Sequence, residues 1–253
     1  MTQGSPRGES SRLLLLYGGS FDPPHRAHIE LPLRIRRQLG AEAVAYIPAA
    51  LSPLKSDRKP TPAHHRLAML SLALAGRDDA VIFTDEIDRA GTGRAGSNHE
   101  ASPLHRHDVT PDPASHRLDA TDPGQMQAEP GAASYTIDTV RALRKRLPRD
   151  MQLRLLIGAD QVLLFDRWKD ADELEQLAEP VVMLRPPWTG DRLWAEAPSW
   201  LDRARWEPRL VSTPMLEVSS TQVRQRIAEG KRIDHLVPQP VADYIARHGL
   251  YRP

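Results

Sequence analysis

Residues 13–28 read Leu13-Leu14-Leu15-Leu16-Tyr17-Gly18-Gly19-Ser20-Phe21-Asp22-Pro23-Pro24-His25-Arg26-Ala27-His28. The first five form a continuous apolar run stopped by two glycines, the pattern of a strand buried on both faces, as in a parallel sheet. Glycine lets the backbone turn sharply at the strand's carboxyl end and come close to a ligand. That is also where open α/β sheets bind their ligands. A helical stretch follows from about 25 to 39, with Gly40 as its C-cap. His25 and His28 stand three apart at the start of this helix, so they share a face beside its free amides and positive dipole end. Two imidazole donors at such a terminus form a pocket for a polyphosphate. The same residues also fit a plain turn, with one histidine as N-cap and the other in the core.

Outward from this stretch, strand and helix patterns alternate. Residues 43–47 read as a second strand, Thr61-Pro62 as the N-cap and first position of a helix running to about 75, and 81–84 as a third strand. Such alternation signals an α/β fold with a parallel sheet. From 91 to 133 there is no Ile, Phe, Tyr or Trp, while Pro, Gly, His, Asp and Ser are frequent. Such a segment buries too little apolar surface to offset its ordering entropy, and it reads as a flexible insertion. Gly91, Gly93 and Gly96 have the spacing of a dinucleotide-binding loop, but no helical apolar period follows them, so the required context fails. His99, His105, His107 and His116 lie in the same segment without a scaffold to fix them, and no metal ligands are assigned. Order resumes with a helix over 134–147, a strand over 153–157, helices near 160–165 and 171–177, and strands over 181–184 and 210–212. A helix from Ser219 or Ser220 to 228 and another over 240–248 complete the chain. Trp188, Trp194, Trp200 and Trp206 are spaced by six, neither a helical nor a strand period, and are read as packing residues.

The expected fold is therefore α/β, a Rossmann-like open, mostly parallel sheet with helices on both faces. It is one domain over 13–253, interrupted by the 91–133 insertion and preceded by a disordered tail over 1–12. Of the 253 residues, 40% are hydrophobic and 26% charged, and the mean hydropathy is -0.49, all ordinary for a globular chain. The absence of cysteine excludes a disulfide scaffold, a Cys-ligated zinc or iron–sulfur site and a thiol nucleophile. A formal net charge of +1 argues against a broad nucleic-acid surface while leaving room for a local anion pocket. The most apolar run, 13–16, is too short to span a bilayer, and residues 1–11 lack the apolar core of an export signal. No membrane partner and a cytoplasmic location are expected.

A second anion signal lies far along the chain at Val218-Ser219-Ser220-Thr221-Gln222-Val223-Arg224. Three hydroxyl residues open a helix and Arg224 sits one turn inside it, so unpaired amides, hydroxyls and a guanidinium fork are offered together. An ordinary serine cap with a solvent-facing arginine fits the same seven residues.

GGSFDPPHRAH followed by VSSTQVR resembles the nucleotidyltransferases of the HxGH type. The rest of the chain is similar to one branch, the bacterial nicotinate-nucleotide adenylyltransferases. The matching pieces are Ile47-Pro48 with Ser52-Pro53-Leu54-Lys55, His65-Arg66-Leu67-Ala68-Met69-Leu70, Ser134-Tyr135-Thr136-Ile137-Asp138-Thr139 and Ile157-Gly158-Ala159-Asp160 running to Trp168. The end of the chain, from Leu236-Val237-Pro238 to Gly249-Leu250-Tyr251, matches too. The resemblance covers about 13–90 and 132–252. It implies transfer of the adenylyl group of ATP to nicotinate mononucleotide, giving deamido-NAD and pyrophosphate by direct displacement. That chemistry needs positioning and charge neutralisation rather than a covalent nucleophile.

Carried over by the resemblance, His25 and His28 contact the ATP phosphates, His28 nearest the α-phosphate, and Arg224 joins them as the third catalytic group. Gly18, Gly19, Ser20 and Phe21 line the floor of the ATP site, Ser219, Ser220 and Thr221 hold the departing phosphates, and Asp160 meets a ribose. Lys55 reaches the mononucleotide phosphate, while Thr136 and Trp168 face the nicotinate ring. Mg2+ accompanies ATP, ligated by phosphate and water rather than by protein. Ala27 and Leu54 depart from the family's usual Gly and His, and the family normally lacks the insertion. Two other readings stay open: a related adenylyltransferase acting on nicotinamide mononucleotide or phosphopantetheine, and a catalytically silent nucleotide-binding scaffold. The oligomeric state is not encoded in any of these features.

Overall fold

The computed structural model describes residues 12–50, 60–92 and 135–253. The apolar run forms β1 (Leu13–Gly19), followed by α1 (Arg26–Leu39), β2 (Ala43–Pro48), α2 (Ala63–Leu74), β3 (Ala80–Ile82) and α3 (Asp85–Thr92). The second half holds α4 (Thr136–Arg146), β4 (Gln152–Gly158), α5 (Ala159–Val162), a 3-10 turn at Phe165–Arg167, α6 (Ala171–Leu177) and β5 (Glu179–Leu184). Next come α7 (Gly190–Ala195), α8 (Arg203–Trp206), a 3-10 turn at Glu207–Arg209, β6 (Leu210–Ser212), α9 (Ser220–Ala228) and α10 (Gln239–Arg247).

The six strands form one all-parallel sheet in the order β3-β2-β1-β4-β5-β6. The chain winds outward from β1 in one direction and from β4 in the other. The two central strands therefore part at their carboxyl ends and leave a crevice, where ligands sit in doubly wound sheets. Strand side chains alternate between two cores, which is why the strand centres are apolar on both faces, with Gln152, Arg154 and Glu179 confined to the amino-terminal parts of β4 and β5. Leu14, Leu16, Leu155 and Ile157 meet Ile137, Val140 and Leu143 of α4 and Trp206 of α8 on one face. Leu15, Tyr17, Tyr46 and Leu156 meet Ile29, Leu33 and Ile35 of α1 with Leu70 and Leu74 of α2 on the other. A third cluster joins Met69 of α2 to Val223 of α9 and to Val241 and Ile245 of α10. It docks the last two helices beside the front half of the sheet. Among the described residues no helix is long and apolar enough to cross a membrane.

The sheet and its helical layers match the expected fold, with local differences. Thr61 does not cap α2; Pro62 holds the N-cap position, and Thr61 gives its N–H to Asp22 and its carbonyl to Arg66. β3 ends at Ile82 rather than Thr84, because Thr84 accepts at its carbonyl the first amides of the next helix. That helix, α3, is absent from the sequence reading, since Asp85, Glu86 and Asp88 leave Ile87 as its sole large apolar side chain. It is held by buried polar contacts instead: Thr139 Oγ1 donates to Glu86 Oε1 at 3.0 Å, and Arg89 Nη2 donates to Thr139 Oγ1 at 2.9 Å. Gly91 and Thr92 close this helix, and 93–133, the rest of the expected insertion with its four histidines and the rest of the glycine motif, lie outside the described residues. The expected tail also lies outside them except for Arg12, which pairs with Glu42 at 2.7 Å.

The tryptophans pack as expected. Trp206 is 2% exposed, with Phe165 and Trp200 at 5.5 and 6.0 Å between ring centroids and the Arg209 guanidinium 4.7 Å over its face. Trp188, Trp194 and Trp200 flank the same core. Trp206→Ala should cost about 3–5 kcal/mol in urea unfolding, as for a large aromatic core truncation; a loss below about 1 kcal/mol would show that this layer does not depend on the ring.

Candidate active site at the carboxyl edge of β1 and β4

β1 leaves the sheet through Gly18 and Gly19. A Cβ on Gly19 would lie 2.9 Å from Cζ of the Phe21 ring. That ring is 1% exposed and packed among Tyr17, Tyr46 and His28, with centroids 5.8, 5.9 and 5.2 Å away, so it has no room to give. Phe21 adopts a φ of 48°, the left-handed region that costs a residue with a side chain conformational energy. Aromatic packing on three sides holds it there.

The turn feeds α1 through His25, which occupies the N-cap with extended backbone. Its N–H donates to His28 Nδ1 at 3.3 Å, and the His28 N–H donates to the His25 carbonyl at 2.9 Å. With Nδ1 accepting, a neutral His28 carries its proton on Nε2, which makes that nitrogen a donor. The two rings stack at 3.6 Å with 19° between their planes. His25 is 2% exposed, and its Nδ1 finds no hydrogen bond of good geometry among the described residues. Burial, assisted by the nearby positive charge of Arg185, pushes its pKa down from 6.5 to about 3. His25 is therefore neutral at pH 7, and the close stack does not bring two cations together.

The second anion motif arrives at the same turn. Ser219 caps α9, its Oγ accepting from the Gln222 N–H at 3.1 Å. Ser220 Oγ donates to the Pro23 carbonyl at 2.9 Å, and Arg224 Nη1 donates to the Asp22 carbonyl at 2.7 Å. Arg224 Nη2 also donates to Thr221 Oγ1 at 3.1 Å. The Asp22 carboxylate is buried and accepts from Tyr251 OH at 2.7 Å and from the Thr61 N–H at 3.3 Å. Residues some 200 positions apart thus place the N-termini of α1 and α9 on either side of one turn, as the two motifs together suggest. The Ser220 hydroxyl, however, is turned onto the loop.

Across the crevice, Asp160 stands at the carboxyl end of β4, exposed, accepting from Gln161 Nε2 at 3.0 Å. Its Oδ1 lies where a Cβ on Gly158 would be, only 2.5 Å from that position, so the glycine makes room for the carboxylate. Thr136 opens α4, half-buried. The residues after Trp168 are tied to that helix: Lys169 Nζ donates to Asp138 at 3.2 Å and lies 4.7 Å over the Tyr135 ring, and Arg141 pairs with Asp170 at 2.8 Å. These contacts draw the Trp168 segment against the start of α4. Trp168 packs on Phe165 at 5.4 Å, and its buried indole N–H has no partner among the described residues. Lys55 and Leu54 lie outside the described residues.

Four residues of this region escaped sequence reasoning. Arg185 follows the last residue of β5, and its charge acts on both His25 and Tyr17; a basic residue closing a parallel strand was the available signal. Asp22 and Tyr251 appear in quoted motifs without a role, and Arg66 is discussed below. Among the described residues no group of three or more His, Asp or Glu is placed to hold a metal ion.

A cytidylyltransferase-like family model matches residues 16–226. A protein of Bacillus pumilus named "Probable nicotinate-nucleotide adenylyltransferase" is 30% identical over 93% of this chain and 96% of its own length. One of Bordetella pertussis with the same name is 35% identical over 94% of this chain and 96% of its own length. Among solved structures, the nicotinic acid mononucleotide adenylyltransferase of Plasmodium falciparum complexed with NaAD superposes with a TM-score of 0.59 at 17% identity, covering 95% of this chain and 97% of that one. That likeness concerns the fold.

The buried neutral His25 makes stability pH-dependent. Its folded pKa lies below 6.5, so the native state refuses a proton that the unfolded chain accepts, and stability present above pH 6.5 is lost as pH falls toward 3. Between pH 7.5 and pH 5 the protein should lose about 2 kcal/mol through this group. Urea melts of the protein and of His25→Asn at the two pH values should differ in slope by that amount; parallel losses would show that His25 titrates normally.

Proposed function

Because the chain belongs to the nicotinate-nucleotide adenylyltransferases of the cytidylyltransferase-like family, we propose that it transfers the adenylyl group of ATP to nicotinate mononucleotide. A phosphate oxygen of the mononucleotide attacks the α-phosphorus, the bond from that phosphorus to the bridging oxygen of the β-phosphate breaks, pyrophosphate leaves and deamido-NAD forms. The observation that carries this reading is the pinning of α9 to the β1 turn through Arg224 and Ser220, which brings two helix N-termini to the two sides of one turn.

In this reading His25 and His28 face the triphosphate. His28 Nε2–H donates to the α-phosphate, where negative charge gathers as the phosphorus becomes five-coordinate. His25, neutral in the free protein, gives a hydrogen bond rather than a charge. The amides at Gly18, Gly19, Ser20 and Phe21 floor the site. The N-terminus of α9 receives the leaving pyrophosphate through the Ser220 and Thr221 amides with Arg224, while Ser219 caps the helix and the Ser220 hydroxyl stays on the Pro23 carbonyl. Arg185 adds a positive charge from the β5 side. Asp160 accepts from ribose hydroxyls. Trp168 stacks on the pyridine ring and Thr136 meets its carboxylate, and Lys55 reaches the mononucleotide phosphate. Mg2+ enters as part of the ATP substrate, on phosphate and water ligands. The reaction belongs in the cytoplasm, where both nucleotides are found.

Purified protein given ATP and each acceptor should release pyrophosphate fastest with nicotinate mononucleotide. Faster turnover with nicotinamide mononucleotide or phosphopantetheine would contradict the substrate assignment, and ATP binding without pyrophosphate release would favour a silent scaffold. His28→Ala should lower kcat by about 10²–10³-fold, as for loss of one transition-state donor, while its thermal midpoint falls only by a few degrees through the lost bond to the His25 N–H and the lost ring contacts. Near-normal turnover would remove His28 from its role.

A further inference from the structure

Arg66, on α2, is 2% exposed, yet its guanidinium makes no hydrogen bond to a carboxylate among the described residues. Nη1 donates to the Ser20 carbonyl at 2.8 Å and to the Ala49 carbonyl at 2.7 Å; Nη2 donates to the Ala50 carbonyl at 3.2 Å and Nε to the Thr61 carbonyl at 3.0 Å. Burial opposes its charge, and the nearest counter-charge, Asp22, is shared through Thr61, whose N–H it holds. Burying an arginine on neutral carbonyls is costly, so the arrangement needs a reason beyond packing.

The direction of the peptide groups supplies one. A trans peptide points its N–H opposite to its C=O. The Gly19 carbonyl accepts from the Ala49 N–H at 2.9 Å, and the Ser20 carbonyl accepts from Arg66, which also holds the Ala49 carbonyl. Both carbonyls are thus drawn to the β2 side, and the N–H groups of Ser20 and Phe21 point together to the other side, toward the crevice. With Phe21 in the left-handed region, successive amides aimed one way form a nest suited to an anion.

We propose that Arg66 is a positioning residue for the nucleotide: by holding the Ser20 carbonyl it fixes the direction of the Ser20 and Phe21 amides that receive an ATP phosphate. This rests on the adenylyltransferase reading, and ATP affinity measured without turnover separates the two. Arg66→Lys keeps the charge but offers three donors from one nitrogen in place of a planar fork. Its KM for ATP, and its Kd for ATP by titration calorimetry, should rise about tenfold, equivalent to losing one well-placed hydrogen bond. Its KM for nicotinate mononucleotide should rise less than its KM for ATP, since on that side Arg66 holds only the Ala49 and Ala50 carbonyls, several residues before Lys55. Arg66→Gln, carrying neither charge nor fork, should show the larger rise. If the parent binds ATP but turns over no acceptor, the reading of the reaction fails while the Kd comparison still decides the role of Arg66. Unchanged ATP affinity in either folded variant, an equal rise in both KM values, or failure of both variants to fold would overturn the positioning role and leave Arg66 a structural residue.

Discussion

The turn between β1 and α1 exists in its observed shape because three groups from elsewhere hold its carbonyls. Arg66 takes Ser20, Arg224 takes Asp22 and Ser220 takes Pro23. Each of these bonds removes an acceptor from the crevice and turns it into the protein. What the proposed site is left with is donors: the Ser20 and Phe21 amides, His28 Nε2 and the first amides of α9. A site for a polyphosphate needs that one-sidedness, because a carbonyl oxygen facing a phosphate oxygen repels it. Charged donors suit the task, since hydrogen bonds to guanidinium groups exceed neutral ones in strength.

The same contacts explain why the end of the chain belongs to the site. The apolar cluster of Met69, Val223, Val241 and Ile245 brings α9 and α10 beside α2, and Tyr251 reaches the Asp22 carboxylate from the last residues. Burial raises the phenol's pKa well above its usual range, so it stays protonated and donates. Another backbone bond, from the Arg26 N–H to the Leu236 carbonyl at 2.9 Å, closes the join. Apolar burial supplies the non-directional attraction between these segments, and the polar bonds set their register.

Much of this was legible in the sequence. The strand 13–17, its two glycines and the histidine pair pointed to one end of a parallel sheet, and the serine-rich helix start with an arginine one turn on meets them at that turn. Local chemistry made these visible, since caps, turns and apolar runs act over a few residues. What was hidden depends on separation in sequence. Arg66 looks like any helical arginine until the fold sets four carbonyls around it, and Arg185 becomes part of the site only when β5 lies two strands from β1. α3 went unread because its support is a buried Glu86–Thr139–Arg89 contact rather than an apolar stripe. Thr61 was misread as a cap because a threonine before Pro62 satisfies the local rule, whereas its amide and carbonyl are committed to Asp22 and Arg66.

The central claim is that two helix N-termini distant in sequence act as one anion site. Hydrogen exchange measured peptide by peptide, with and without ATP, tests it most directly. The account predicts that ATP slows exchange in 19–28 and in 219–224 together, at the same nucleotide concentration. Protection confined to one of these segments, or midpoints that differ between them, would contradict it.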